Sequence, residues 1–91
     1  MGLATWLKQG RLQRLESKLK TLRTRQKHVR RKEEELAEQK RKGELTPDVH
    51  AERARKLHDE KEKLTHEIAV VAAEAERLRE ELQAAGVAVT K

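Results

Sequence analysis

A glycine–proline break separates two heptad-patterned runs near the midpoint of the chain, and no other feature constrains the fold as tightly. The stretch Lys42-Gly43-Glu44-Leu45-Thr46-Pro47-Asp48 holds the only proline and one of four glycines. Gly43 suits the left-handed backbone that closes a helix. Thr46 is placed to cap the amides of a following helix. Pro47 then falls at the first helical position, where no N–H donor is needed. Asp48 puts negative charge in the first turn, where the helix dipole favours it. These residues predict a tight turn between two helices.

The flanking runs supply a test of that turn. With Leu12 taken as position a of a heptad, a continues through Leu19, Gln26, Glu33 and Lys40, and d is Leu15, Leu22, Val29, Leu36 and Gly43. The second run has its own register, with a at Ala54, Lys61, Ile68, Ala75 and Leu82, and d at His50, Leu57, Leu64, Val71, Leu78 and Ala85. Antiparallel packing sets a against d. Folding about Leu45 then gives the layers Leu12–Leu78, Leu15–Ala75, Leu19–Val71, Leu22–Ile68, Gln26–Leu64, Val29–Lys61, Glu33–Leu57 and Leu36–Ala54. The two residue numbers in each layer sum to 90. The registers are independent, so their agreement supports the hairpin.

Charge points the same way. Position g is Arg11, Lys18, Arg25 and Lys32 in the first run and Glu60, Glu67, Glu74 and Glu81 in the second. Opposed g positions predict the pairs Lys32–Glu60, Arg25–Glu67, Lys18–Glu74 and Arg11–Glu81, which favour the antiparallel orientation. The expected fold is therefore all-α: two long helices joined by a Gly43–Asp48 turn into an antiparallel coiled-coil hairpin. The whole of 1–91 reads as one domain, with helix 1 over about 3–42, the turn at 43–47, helix 2 over about 47–85 and a tail at 86–91. Arms of this size are about 55 Å long at 1.5 Å per residue. Gly10 interrupts the first arm, as a kink or as a late start of the regular helix. At the other end Gly86 stops the second helix, with Val87 folding back on Leu82.

The run Leu36–Leu57 resembles the small helix-turn-helix module called SHOCT, with Leu36, Gly43, Leu45, Thr46 and Leu57 at its pattern positions and His50 where that module usually carries Phe. The resemblance spans about a quarter of the chain and implies a role in oligomerisation without catalysis.

Composition bounds the function. Of 91 residues, 42% are charged and 35% hydrophobic, and Trp6 is the one aromatic, so a seam is expected in place of a large core. No cysteine is present for a disulfide or a thiolate site. No apolar run reaches the ~20 residues that span a bilayer. Met1–Lys8 is too short and too lightly apolar for a secretory signal, and Trp6 stands where a myristoylation pattern wants Ser or Thr. The reading is a cytoplasmic protein.

Charge is unevenly placed. Residues 1–32 carry 11 Lys or Arg against the single acid Glu16, net +10, whereas residues 33–91 carry 11 basic and 15 acidic residues, net −4. Within the basic part, Lys20, Arg23, Lys27 and Arg30 share one helix face, and Arg14 and Arg31 extend it. The opposing e positions, His58, Thr65 and Ala72, offer no carboxylate. Such a face suits phosphate backbones or an acidic partner; its plain alternative is a solvated surface. On the second helix Ala69, Val70, Ala72 and Ala73 fall outside the seam and mark an oligomer interface. His50, His58 and His66 are eight apart, the wrong spacing for ligands on one helix face, so no metal or other cofactor is expected.

No phosphate loop, no nucleophile beside a base and no cleft are legible, so the chain reads as a non-enzyme. The leading reading is a structural assembly or adaptor module, partnered by further copies of itself or a larger protein complex. The alternative is a protein associated with RNA or DNA, as in a ribonucleoprotein, chromatin-like complex or virion. A membrane-surface role with Leu3, Trp6 and Leu7 inserted ranks last, and no small-molecule substrate is expected.

Overall fold

The computed structural model describes residues 2–87. The protein is an all-α helical hairpin. Helix α1 runs Leu3–Arg41 and helix α2 runs Pro47–Ala84. They pack side by side into a rod of 62 × 17 × 15 Å. Ion pairs from Lys8–Glu81 near the open end to Glu33–Lys61 nearer the turn show the antiparallel course.

The turn is built by the residues that its sequence singles out. Gly43 has φ 68°, in the left-handed region that an L side chain rarely adopts. That conformation aims the Glu44 N–H at the Gln39 carbonyl (3.0 Å) and the Gly43 N–H at the Lys40 carbonyl (3.1 Å). Together the two bonds form a Schellman closure of α1. Thr46 has extended backbone, and its Oγ1 accepts from the Val49 N–H at 3.3 Å. Pro47 opens α2 and Asp48 lies in its first turn. The same closure ends α2: at Gly86, with φ 81°, the Val87 N–H donates to the Leu82 carbonyl at 2.9 Å. Val87 is half-buried against the core, so the expected fold-back is present. The rest of the expected tail, 88–91, lies outside the described residues.

The core is a single seam. Leu12, Leu19, Leu22, Val29 and Leu36 of α1 are buried, with Leu64, Val71, Ala75, Leu78 and Leu82 of α2. All ten occupy a or d positions of the registers read from sequence. Each leucine buried here contributes about 2 kcal/mol, so the stability of the rod rests on a row one residue wide. Leu15, Leu57 and Ile68 flank it half-buried. Toward the turn the seam thins to Gln26, Glu33, Ala54 and His50, all half-buried.

Two expectations need correction. Gly10 neither delays nor interrupts α1, which is continuous from Leu3. One glycine costs a helix about 1 kcal/mol, and the leucines that follow outweigh it. Lys40 and Lys61 hold seam positions by register and, as their long stems allow, carry the ammonium out to water, where both are exposed. Lys61 Nζ lies 3.5 Å from Glu33 Oε1 at the rim. The ion pairs also differ. Instead of Arg11–Glu81 and Lys18–Glu74, the structure pairs Arg11 with Glu74, Lys18 with Glu67 (3.6 Å) and Lys8 with Glu81 (3.7 Å). Among the described residues, no carboxylate lies within 4.0 Å of Arg25 or Lys32. A g residue lies axially between two g residues of an antiparallel partner. The heptad therefore selects the flank, and side-chain reach selects which of the two carboxylates is engaged.

Candidate interaction surfaces

The hairpin has two unlike flanks. On one, Lys8, Arg11 and Lys18 are tied across the seam to Glu81, Glu74 and Glu67. The other carries the e positions. From this flank round to the outer face, Lys20, Arg23, Lys27 and Arg30 are all exposed, as are Arg14 and Arg31. None of these six has a carboxylate within 4.0 Å among the described residues. By the heptad frame Lys20 and Lys27 (b), Arg14 (c) and Arg31 (f) lie on the outer face of α1, whereas Arg23 and Arg30 are e positions beside the seam. Across from them, α2 offers exposed His58, exposed Thr65 and half-buried Ala72. His58 Nε2 is 3.8 Å from Glu62 on its own helix, and Thr65 Oγ1 donates to the Lys61 carbonyl at 2.9 Å. Among these, the Thr65 hydroxyl is spent on its own helix.

One contact on this flank escaped the sequence reading. Arg79 of α2 lies with its side chain 16% exposed, 4.0 Å from Glu16 and 3.1 Å from Glu76. Both Glu16 and Arg79 are e positions, so the flank is closed near the open end by a pair of reversed sign. The signal was available: Glu16 is the lone acid of the first 32 residues.

The α2 surface patch is smaller than its sequence suggests. Ala69, Val70 and Ala73 are exposed, with Val70 at 51%. Ala72 is half-buried and packs against the hairpin's own core. An e position flanks the seam, so Ala72 is taken up inside the hairpin.

A third surface lies at the open end. Leu3 is 72% exposed, Trp6 65% and Leu7 54%. By the heptad frame they are positions f, b and c, the side of α1 opposite its seam. No group of three or more potential metal ligands comes together among the described residues. No described helix is long and apolar enough to cross a membrane. Compared with known proteins, the chain matches no family model, no curated protein and no solved structure.

Proposed function

We propose that the hairpin is a non-catalytic assembly or adaptor module of the cytoplasm that associates with copies of itself or docks on a larger complex. The observation that carries this reading is Val70, 51% exposed between exposed Ala69 and Ala73 on the face of α2 away from the seam. A rod whose only core is one seam gains from burying a second face. Small side chains around Val70 let another helix approach closely. The resemblance of Leu36–Leu57 to the SHOCT module, linked to oligomerisation, supports the same reading. The test is mass by light scattering. The unmodified chain is expected to exceed one copy, and Val70→Glu with Ala73→Glu is expected to return monomers of lower thermal stability. A monomeric unmodified chain that captures no protein partner through this face overturns the reading.

A second reading is favoured by one observation: Lys20, Arg23, Lys27 and Arg30 are exposed and have no carboxylate partner. Such a face suits a nucleic-acid backbone read without regard to sequence. Changing these four to Gln should then leave folding intact and lower the salt slope of binding by roughly one unit per lost phosphate contact.

A further inference from the structure

Leu3, Trp6 and Leu7 form the most exposed apolar cluster of the described rod. They lie in the first turns of α1, on positions f, b and c. The same outer positions continue down the helix through Gly10, Arg14, Lys20, Lys27 and Arg31, and these four cations are exposed. Gly10 separates the apolar and basic parts. A Cβ there would stand 3.6 Å from Arg14 Nη1, so the Arg14 guanidinium lies back over Gly10. The nearer cations Lys8 and Arg11 are already held by Glu81 and Glu74. One long side of the rod thus presents a tryptophan and two leucines at its tip, followed by unpaired positive charge.

We infer that this side docks on an anionic lipid bilayer, with Leu3, Trp6 and Leu7 seated among the headgroups and acyl boundary and Arg14, Lys20, Lys27 and Arg31 over the lipid charges. Three arguments select a bilayer. Tryptophan and leucine beside unpaired cations is the chemistry of an interfacial helix, because the indole prefers the headgroup level and basic groups are drawn to anionic lipid. The three side chains together expose on the order of 400 Å², about half of the ~800 Å² that each partner buries in a stable protein pair. A second copy on this tip would also set like charges against each other, since this side of α1 is basic from Arg14 to Arg31. The inference is independent of the α2 patch on which the assembly reading rests.

Trp6 is the only aromatic residue, so its emission reports this site alone. The full chain is titrated with vesicles of phosphatidylcholine containing phosphatidylserine, and with vesicles of phosphatidylcholine alone. Trp6 emission should move to the blue with the anionic vesicles, the protein should cosediment with them, and both effects should weaken as salt is raised. The variant Leu3→Ser with Leu7→Ser changes only exposed positions and should keep its helicity by circular dichroism. Its binding to anionic vesicles should fall roughly tenfold or more. Arg14→Gln with Lys27→Gln should weaken binding while leaving the blue shift at saturation. The inference is overturned by unchanged Trp6 emission in the presence of anionic vesicles, whether or not the protein cosediments. It is likewise overturned by undiminished binding of the Leu3→Ser, Leu7→Ser variant. Emission already blue in the free protein, red-shifting on dilution as an oligomer dissociates, would assign the tip to a second copy. A shift produced by duplex nucleic acid and not by vesicles would assign it to that partner.

Discussion

Gly10 and Gly43 show how little residue identity means without backbone geometry. Gly43 follows the C-cap of α1, and Gly10 lies inside that helix. Gly43 stands at φ 68°, where any Cβ strains the backbone, whereas Gly10 lies within α1 with only an Arg14 side chain near the space a Cβ would fill. Opposite effects follow from the same substitution. Gly10→Ala should stabilise the hairpin by about 0.5–1 kcal/mol, because it removes backbone entropy from the unfolded chain and restores helix propensity. Gly43→Ala should cost about 1–2 kcal/mol, because alanine must either hold the left-handed conformation or break the Schellman bonds. Urea denaturation followed by circular dichroism measures both. A loss at Gly10 would show that the glycine serves a close approach rather than standing as a tolerated defect.

At the scale of the element, the two helices are held by a seam of uneven quality. Its open-end half is leucine, isoleucine, valine and alanine. Nearer the turn, Glu33 is half-buried and Lys61 has swung out, and the two meet at 3.5 Å with side-chain exposures of 36% and 55%. A partly exposed pair of this kind contributes between zero and ~1 kcal/mol. Leucine at both positions would extend the apolar row instead. Glu33→Leu with Lys61→Leu should therefore raise the melting temperature by about 4–8 °C, the shift expected for roughly 1 kcal/mol in a chain of this size. An unchanged or lower melting temperature would mean that the turn half does not close tightly enough to bury leucine. The closure of the turn does not depend on this pair, since the Schellman bonds at Gly43 and the Thr46 cap are local to it.

For the whole molecule the governing fact is the antiparallel fold-back within one chain. Leu22 and Ile68 belong to one apolar cluster though they stand 46 residues apart in sequence. Cysteines at Leu22 and Ile68 should form an intramolecular disulfide in dilute solution, seen as a monomer of altered mobility without reductant. Crosslinks found only between chains would replace the hairpin by long helices paired between copies. The fold-back also distributes charge. It neutralises Lys8, Arg11 and Lys18 against glutamates of α2 and leaves Lys20, Arg23, Lys27 and Arg30 bare, so one flank is zipped and the other is open to a charged partner.

The hairpin itself was legible in the sequence. Turn chemistry at Gly43, Thr46 and Pro47 acts over a few neighbouring residues, and heptad spacing repeats a local geometry, so neither needs a tertiary contact to be read. The sequence alone therefore determined the two helices, their turn and all ten buried seam residues. What tertiary structure decided lies at the edges of the seam. Which carboxylate engages Lys18, whether Ala72 is surface or core, and whether Lys61 lies in the seam or leaves it depend on where long or small side chains end up once two helices are side by side. Periodicity assigns each residue a direction from its helix axis. It does not assign how far a flexible stem reaches along that axis, and that reach sets the charges left free to meet a partner.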